Sequence, residues 1–231
     1  MPFIRPGRDL PVSITVLGTG MIADNQWDGV EVRTLTLTGV SVACLLLASV
    51  GILTASFAGP PTLNNGNTLA LEYNQDFGPE FPTFSNRAYS EVSAAGGSDH
   101  AITVDKDATF AGELTLMGIA LSGGAIQDSS VTSLVAGGAG HTHTSNTVTT
   151  AVPALLVSFS SGAGDVNPTN PTQTYPAGWT VHQFVARNSS EAPSGHIQTY
   201  MATKWVDAGT HSVAIQVTID EGIIIALFAV G

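Results

Sequence analysis

Hydrophobic and polar residues alternate along much of the chain with the two-residue period of β-strands. The alternation is clearest over residues 29–37 and 212–219. Two continuous apolar segments, residues 113–121 and 222–230, have the length and branched composition of buried strands. These patterns predict an all-β protein built from antiparallel sheets.

Glycine, proline and asparagine divide the chain between these segments. Gly18, Thr19 and Gly20 end an apolar stretch and predict a turn, while residues 74–86 and 162–178 predict two long surface loops. Further strands are expected over residues 12–17, 88–92, 100–104, 147–159, 179–186 and 197–203.

The segment 40–57 is open to two interpretations. It lies within a long uncharged part of the chain and is just short of the roughly 20 apolar residues that a membrane-spanning helix needs. Its serine and threonine content, the break at Gly51 and the lack of basic flanking residues favour two buried strands that meet near residues 49–51. We therefore expect no membrane association, with a spanning helix as the alternative.

The two halves of the chain resemble each other. Residues 45–47 and 155–157 have nearly the same sequence, residues 96–104 match 209–217 in pattern, and each match is shifted by a little more than 100 positions. A repeat of this length suits two tandem antiparallel β-sandwich modules of the jelly-roll or immunoglobulin-like kind. The alternatives are chance similarity between two β-rich halves and a single jelly roll built from both.

This repeat predicts a division of the chain into three parts. Residues 1–11, with two prolines and two arginines, form an N-terminal arm, residues 12–136 the first β-sandwich and residues 137–231 the second. The glycine-rich stretch at Gly137, Gly138 and Gly140 is the expected junction.

Composition narrows the classes of function. Charged residues make up only 11% of the chain, and 7 Lys and Arg face 18 Asp and Glu, a formal net charge of −11. The clustered cations that phosphate binding requires are missing, so no nucleic-acid partner is expected.

The single cysteine, Cys44, lies in an apolar stretch, which indicates a buried inert thiol. The N-terminus lacks the apolar core of a signal peptide, so we expect synthesis and retention in the cytoplasm.

No nucleophile elbow, phosphate loop or zinc-protease motif occurs, so we expect a protein that is not an enzyme. Aromatic residues on the two predicted loops are candidate contacts for a ligand or partner, since aromatic rings beside Asn and Gln suit sugars and protein surfaces. The other interpretation is that they cap the ends of the cores. They are Tyr73, Phe77, Phe81, Phe84, Tyr175 and Trp179.

His141 and His143 are the only close histidine pair. On a strand they would share one face, about 7 Å apart, and could ligate one metal ion if other groups completed the shell. No third ligand lies nearby in the sequence. The alternative is an ordinary polar strand face, because the repeat places the pair opposite Glu31 and Arg33.

Residues 139–144, AGHTHT, resemble the Gly-x-His-x-His motif of bacteriophage tail-fibre proteins. In those fibres, such pairs from three chains meet around iron on a threefold axis. The resemblance implies that His141 and His143 bind iron or another divalent metal in a homotrimer. It covers six residues, and the fibres carry several such pairs where this chain has one.

Taken with the composition and the predicted arm, this resemblance favours a non-enzymatic structural protein of a bacteriophage virion. It would serve in tail or baseplate attachment or in capsid decoration, be assembled in the host cytoplasm, and bind itself and other virion proteins. The competing hypothesis is a carbohydrate-binding or adhesin module, for which a host-surface glycan is the partner.

Overall fold

The computed structural model describes residues 14–24, 32–40, 43–53, 60–64, 67–76, 84–94, 99–105, 113–135, 140–164, 172–188, 196–218 and 222–231. These residues form antiparallel β-strands and no helix, which confirms the predicted all-β class. It follows that none of these ranges contains an apolar helix of membrane-spanning length. The predicted arm, residues 1–11, lies outside the described ranges.

Eight of the described strands come from the first half of the chain. They are β1 (Val16–Asp24), β2 (Val32–Thr38), β3 (Cys44–Leu53), β4 (Thr62–Leu63), β5 (Ala70–Asp76), β6 (Phe84–Ala94), β7 (Asp99–Asp105) and β8 (Glu113–Leu121).

The second half supplies the remaining described strands. They are β9 (Ile126–Val135), β10 (Thr142–Thr144), β11 (Val148–Thr150), β12 (Ala154–Gly164), β13 (Gln173–Thr174), β14 (Thr180–Asn188), β15 (His196–Val206), β16 (Gly209–His211), β17 (Ala214–Val217) and β18 (Gly222–Val230).

The two halves use one strand order. The first large sheet has the order β1-β8-β3-β6-β5, and the second has β9-β18-β12-β15-β14. Each is accompanied by a three-stranded sheet, β2-β7-β4 in the first half and β10-β17-β13 in the second, and the second half adds the pair β11-β16. Strands that correspond in sequence thus take the same place in their sheets.

Three hydrophobic cores lie between these sheets. One lies between the first large sheet and its three-stranded sheet and contains Leu35 and Leu46. Another lies between the two large sheets, where Leu47 comes from the first sheet and Phe228 from the second. The third contains Ile215 and fills the space between the second large sheet and the small strands of that half. The large sheets are therefore the inner layers, with apolar residues on both faces.

This layering explains the uncharged segment. β3 runs from Cys44 to Leu53 as one strand between β6 and β8, so the expected break near residues 49–51 is wrong. Ser49 pairs with Met117 and Gly51 with Thr115, both within the ladder. Since β3 is covered on both faces, it needs no polar side, and its sequence is nearly as apolar as that of a membrane segment.

The expected turn at residues 18–20 is also wrong, because these residues lie inside β1. Gly20 pairs with Gly118 of β8, and a Cβ atom on Gly20 would lie 2.8 Å from Leu35 Cδ1 and 2.9 Å from Leu37 Cδ2. The glycine is needed for the close approach of the small sheet to the large one, not for a turn.

β9 is a long strand that the alternation pattern misses. Its sequence, IQDSSVTSLV, is mostly polar, yet all of it pairs with β18 in the second large sheet. The expected division at residues 136 and 137 assigns this segment to the first module, whereas its ladder partner belongs to the second half.

Candidate functional site

Two of the predicted aromatic contacts lie on strands of the first half. Tyr73 belongs to β5, and its ring stacks on that of Phe228 with centroids 5.7 Å apart, in the core between the large sheets. Burial raises the pKa of Tyr73 well above its ordinary value of 10, with a further contribution from Glu72. Tyr73 thus lies on a strand and packs in the core between the large sheets. Phe84 is the first residue of β6.

Phe77 and Phe81, the other two residues predicted for this loop, lie outside the described residues.

Four aromatic residues of the second half come together at one edge of the second large sheet. The rings of Trp179 and Tyr175 are 5.4 Å apart, and Tyr175 lies 6.5 Å from Tyr200. Tyr200 stacks on Phe184, its cross-strand partner, at 5.4 Å and 21°. We call Trp179, Tyr175, Tyr200 and Phe184 the aromatic row. Phe184, at 60% exposure, presents its ring to solvent at the end of this row.

Hydroxyl and amide groups lie behind the aromatic row. The Tyr175 hydroxyl is 3.0 Å from Ser158 Oγ and 2.9 Å from Ser160 Oγ, while Ser160 also donates to Gln173 Oε1. Gln173 in turn donates through Nε2 to the carbonyl of Gln198 at 3.2 Å. Burial raises the pKa of Tyr175 to about 12, although its two serine hydrogen bonds act in the opposite direction. The phenol is therefore neutral at physiological pH.

Gln198 is the least satisfied member of this group. It is fully buried, and neither Nε2 nor Oε1 of its side chain hydrogen-bonds to another described residue. A buried amide without partners costs roughly 1–3 kcal/mol of stability, so its place in this core needs a reason beyond packing.

The repeat shows that these polar groups replace apolar ones. Leu45 pairs with Leu121 in the first large sheet, as Leu155 pairs with Val230 in the second. Continuing along β3 and β12 from these pairs, the positions of Ser158 and Ser160 correspond to those of Ala48 and Val50. The same face that is aliphatic in the first half is thus hydroxyl-bearing in the second.

The histidine pair occupies two different environments. His143 in β10 is 7% exposed, pairs with Ile215 and has no hydrogen-bond partner for Nε2 among the described residues. Burial lowers the pKa of His143, and the neighbouring His141 lowers it further. His141 itself is exposed. The pair therefore spans the border between core and solvent.

The ladder also corrects the expected alignment of this pair. In the first half, Leu35 pairs with Ile102, and in the second, His143 pairs with Ile215. The equivalent of His143 is thus the buried Leu35 and not Arg33. In the part of the chain that the structure describes, no three His, Cys, Asp or Glu residues are grouped to hold a metal ion.

Cys44 is buried, as predicted, with its Sγ atom 3.7 Å from His100 Nε2. Burial raises the pKa of this thiol to about 11, so it remains protonated at neutral pH and is a poor nucleophile.

Tyr175 and Trp179 were predicted as contacts from the sequence, whereas Tyr200, Phe184 and the polar residues behind them were not. The internal repeat contained a signal for these residues. Ser158 and Ser160 stand at positions that are aliphatic in the first half, which indicates a different environment in the second half. Compared with known proteins, the chain matches no family model, no curated protein and no solved structure.

Proposed function

We propose that the protein is a non-enzymatic structural component of a bacteriophage virion, acting in tail or baseplate attachment or in capsid decoration. The observation that carries the proposal is the repeated strand order. The orders β1-β8-β3-β6 with β2-β7-β4, and β9-β18-β12-β15 with β10-β17-β13, support a jelly-roll assignment for each half, with β5 and β14 added at the edges of the large sheets. Jelly rolls build many viral capsid proteins and lectins.

On this proposal the chain consists of two tandem jelly-roll sandwiches packed through their large sheets. The boundary between them lies before Ile126, because β9 pairs with β18. Residues 122–125 connect β8 to β9, and the backbone of Ala125 exchanges two hydrogen bonds with that of Gly231. The expected junction at Gly137 and Gly138 lies outside the described residues.

The proposed partners are other virion proteins and further copies of the same chain, with assembly in the host cytoplasm. A homotrimer is proposed from the resemblance of residues 139–144 to tail-fibre motifs. Iron binding by His141 and His143 on its axis would require His143 to turn out of its core, whereas His141 is already accessible. Sedimentation equilibrium together with metal analysis of the purified protein tests both parts.

The virion role is tested on particles. Phage particles purified by density gradient from a lysed producing culture should contain the chain at a fixed number of copies per particle, measured by quantitative mass spectrometry. Antibody labelling in electron microscopy then locates it on the head or the tail. Its presence in the lysate and absence from infectious particles would refute the proposal.

A second candidate function, carbohydrate binding, is favoured by the aromatic row. The exposed ring of Phe184, stacked on Tyr200, suits the apolar face of a sugar. A glycan array comparing the wild type with F184A tests this function, and L71A is the matched control because Leu71 is an exposed apolar residue on the first large sheet. Hits that F184A loses and L71A keeps would support it, and an array without hits would oppose it.

A further inference from the structure

A cation lies beside the aromatic row on the outer face of the second large sheet, the face directed towards the small strands of that half. Lys204 pairs with Leu156, which belongs to the core on this face, and Trp179 packs against the same core. Because paired residues of neighbouring strands share a face, Lys204 and Trp179 lie on the same side of the sheet. A Cβ atom on Gly178 would lie 3.5 Å from Lys204 Cε and 3.8 Å from Nζ, so the ammonium group lies at the Trp179 end of the row.

A β-bulge in β14 brings two exposed apolar residues onto this outer face. Val181 pairs with Ala202 and Phe184 pairs with Tyr200, with a shift of register directly after Val181. Without the bulge, two residues three positions apart on a strand would point to opposite faces. Val181 and Phe184 are 41% and 60% exposed. The edge of the sheet thus presents an apolar surface with Lys204 at one end.

The first half has a polar pair where the second half has the stacked rings. Following the ladders outward from the equivalent residues Val50 and Ser160 gives Arg87 with Asn74 in the first half and Tyr200 with Phe184 in the second. Arg87 Nε donates a hydrogen bond to Asn74 Oδ1 at 3.0 Å, so these two polar side chains satisfy each other. The fold therefore does not require aromatic rings at this position.

The cation also has an equivalent in the first half. Leu46 pairs with Glu91 as Leu156 pairs with Lys204, and Glu91 Oε1 accepts a hydrogen bond from Asn67 Nδ2 at 3.2 Å. The Lys204 ammonium group makes no hydrogen bond or ion pair within the described part of the chain. In a chain with a net charge of −11, an unpaired cation beside exposed rings favours a ligand with an anionic group.

The dimensions of this surface suit a chain of sugars. A stable protein interface buries roughly 1,200 Å² or more, whereas the exposed apolar residues here follow a single edge strand. Aromatic rings pack against the apolar faces of sugars. Lys204 lies four residues along β15 from Tyr200, the partner of Phe184, which is about 13 Å. A ligand that contacts both Phe184 and Lys204 therefore needs more than one sugar unit.

We propose that the aromatic row and Lys204 bind an acidic oligosaccharide, with a sugar ring on Phe184 and an anionic group, a carboxylate or a sulfate, on Lys204. This inference rests on the second candidate function, carbohydrate binding at the aromatic row, and adds the charge of the ligand. It does not depend on virion incorporation, since the site is formed within one chain.

The test is a glycan array probed with the full-length protein. It carries neutral glycans beside counterparts that differ from them only by a carboxylate or only by a sulfate, and titration calorimetry measures the affinity of the strongest hits. The acidic glycans should bind about tenfold or more tightly than their neutral counterparts, and the two acidic arms show which anionic group is preferred. K204M should abolish this preference, and K204R should keep it.

F184A separates binding at the aromatic row from attraction of any anion to Lys204. It should weaken the binding of acidic and neutral glycans by several-fold, whereas L71A, which changes an exposed residue of the first large sheet, should alter neither. Circular dichroism and the thermal midpoint establish that each variant is folded.

Three results would overturn the inference. Equal binding of acidic and neutral glycans that F184A loses would refute the acidic preference and leave carbohydrate binding at the row in place. A preference that persists in K204M, or acidic binding that F184A does not weaken, would show that the glycan binds elsewhere. An array without hits would refute both this inference and the second candidate function.

Discussion

His143 occupies in the second half of the chain the buried ladder position that Leu35 holds in the first. Each pairs with an isoleucine, Ile215 and Ile102 respectively, and each faces the core beneath its small sheet. The repeat thus provides an internal control, because one position carries an aliphatic side chain in one half and a titratable ring in the other.

We expect H143L to stabilise the protein. The substitution removes a buried ring nitrogen that has no partner among the described residues and introduces the residue found at the equivalent position. The free energy of unfolding should rise by about 1–3 kcal/mol at pH 7, measured by urea denaturation. H141L is the control, and because His141 is exposed it should change the stability by less than about 0.5 kcal/mol. A destabilised H143L would indicate that the ring has a partner in solution.

Stability should also depend on pH in a defined direction. The pKa values of His143 and His182 are lowered in the folded state, mainly by burial, from an ordinary value of 6.5. Below pH 6.5 the unfolded state binds more protons than the folded state. The stability that the two neutral histidines allow is therefore fully present above pH 6.5 and is lost as the pH falls toward the folded pKa values. Thermal midpoints from pH 8 down to about pH 5 should show this decline, and the decline should be shallower in H143L. Parallel curves for the wild type and H143L would contradict the assignment to His143.

The hydroxyl network behind the aromatic row should behave as a coupled unit. Y175F and S160A each remove hydrogen bonds from buried partners and should cost about 1–3 kcal/mol. The double variant should cost less than the sum, because both single changes break the bond between Tyr175 and Ser160. A double-mutant cycle by chemical denaturation measures this coupling. Strict additivity would show that the two hydroxyls do not interact in solution.

The contact between the first large sheet and its small sheet depends on Gly20. Because a Cβ there would overlap the side chains of Leu35 and Leu37, G20A should lower the free energy of unfolding by about 1–3 kcal/mol. Gly123 is the matched control, since a Cβ at that position meets no atom within 4 Å. Comparable losses for G20A and G123A would mean that glycine flexibility, and not the close approach, sets the cost.

The hydrophobic pattern of the sequence predicted strands that face a core on one side and strands that face cores on both sides. β8 and β18 begin and end where the apolar segments do, and in β17 the buried Ile215 and Val217 alternate with the exposed Ala214 and Gln216. β9 was not predicted because its sequence lacks regular alternation of apolar and polar residues. It is held in its sheet by pairing with β18 along its length. Ladder partners distant in sequence cannot be inferred from local pattern.

The candidate sites could be predicted from the sequence only in part. Tyr175 and Trp179 were predicted because both are aromatic residues in a loop-like segment, but their neighbour Phe184 reaches them through Tyr200 on the adjacent strand. A cavity of about 430 Å³ is lined by residues almost 200 positions apart, such as Ile14 and Trp205. Such a site exists only once the two halves have packed together.

The core between the large sheets has a consequence for how the chain divides. Its residues come in nearly equal numbers from both halves, so each half alone would expose an apolar sheet face, with Leu47 and Ile119 on one and Val157 and Phe228 on the other. Fragments cleaved between Gly124 and Ala125 would therefore be complementary, and each would provide the surface that keeps the other from aggregating. The covalent link between the halves fixes their ratio at one to one, while the buried face determines that they stay together.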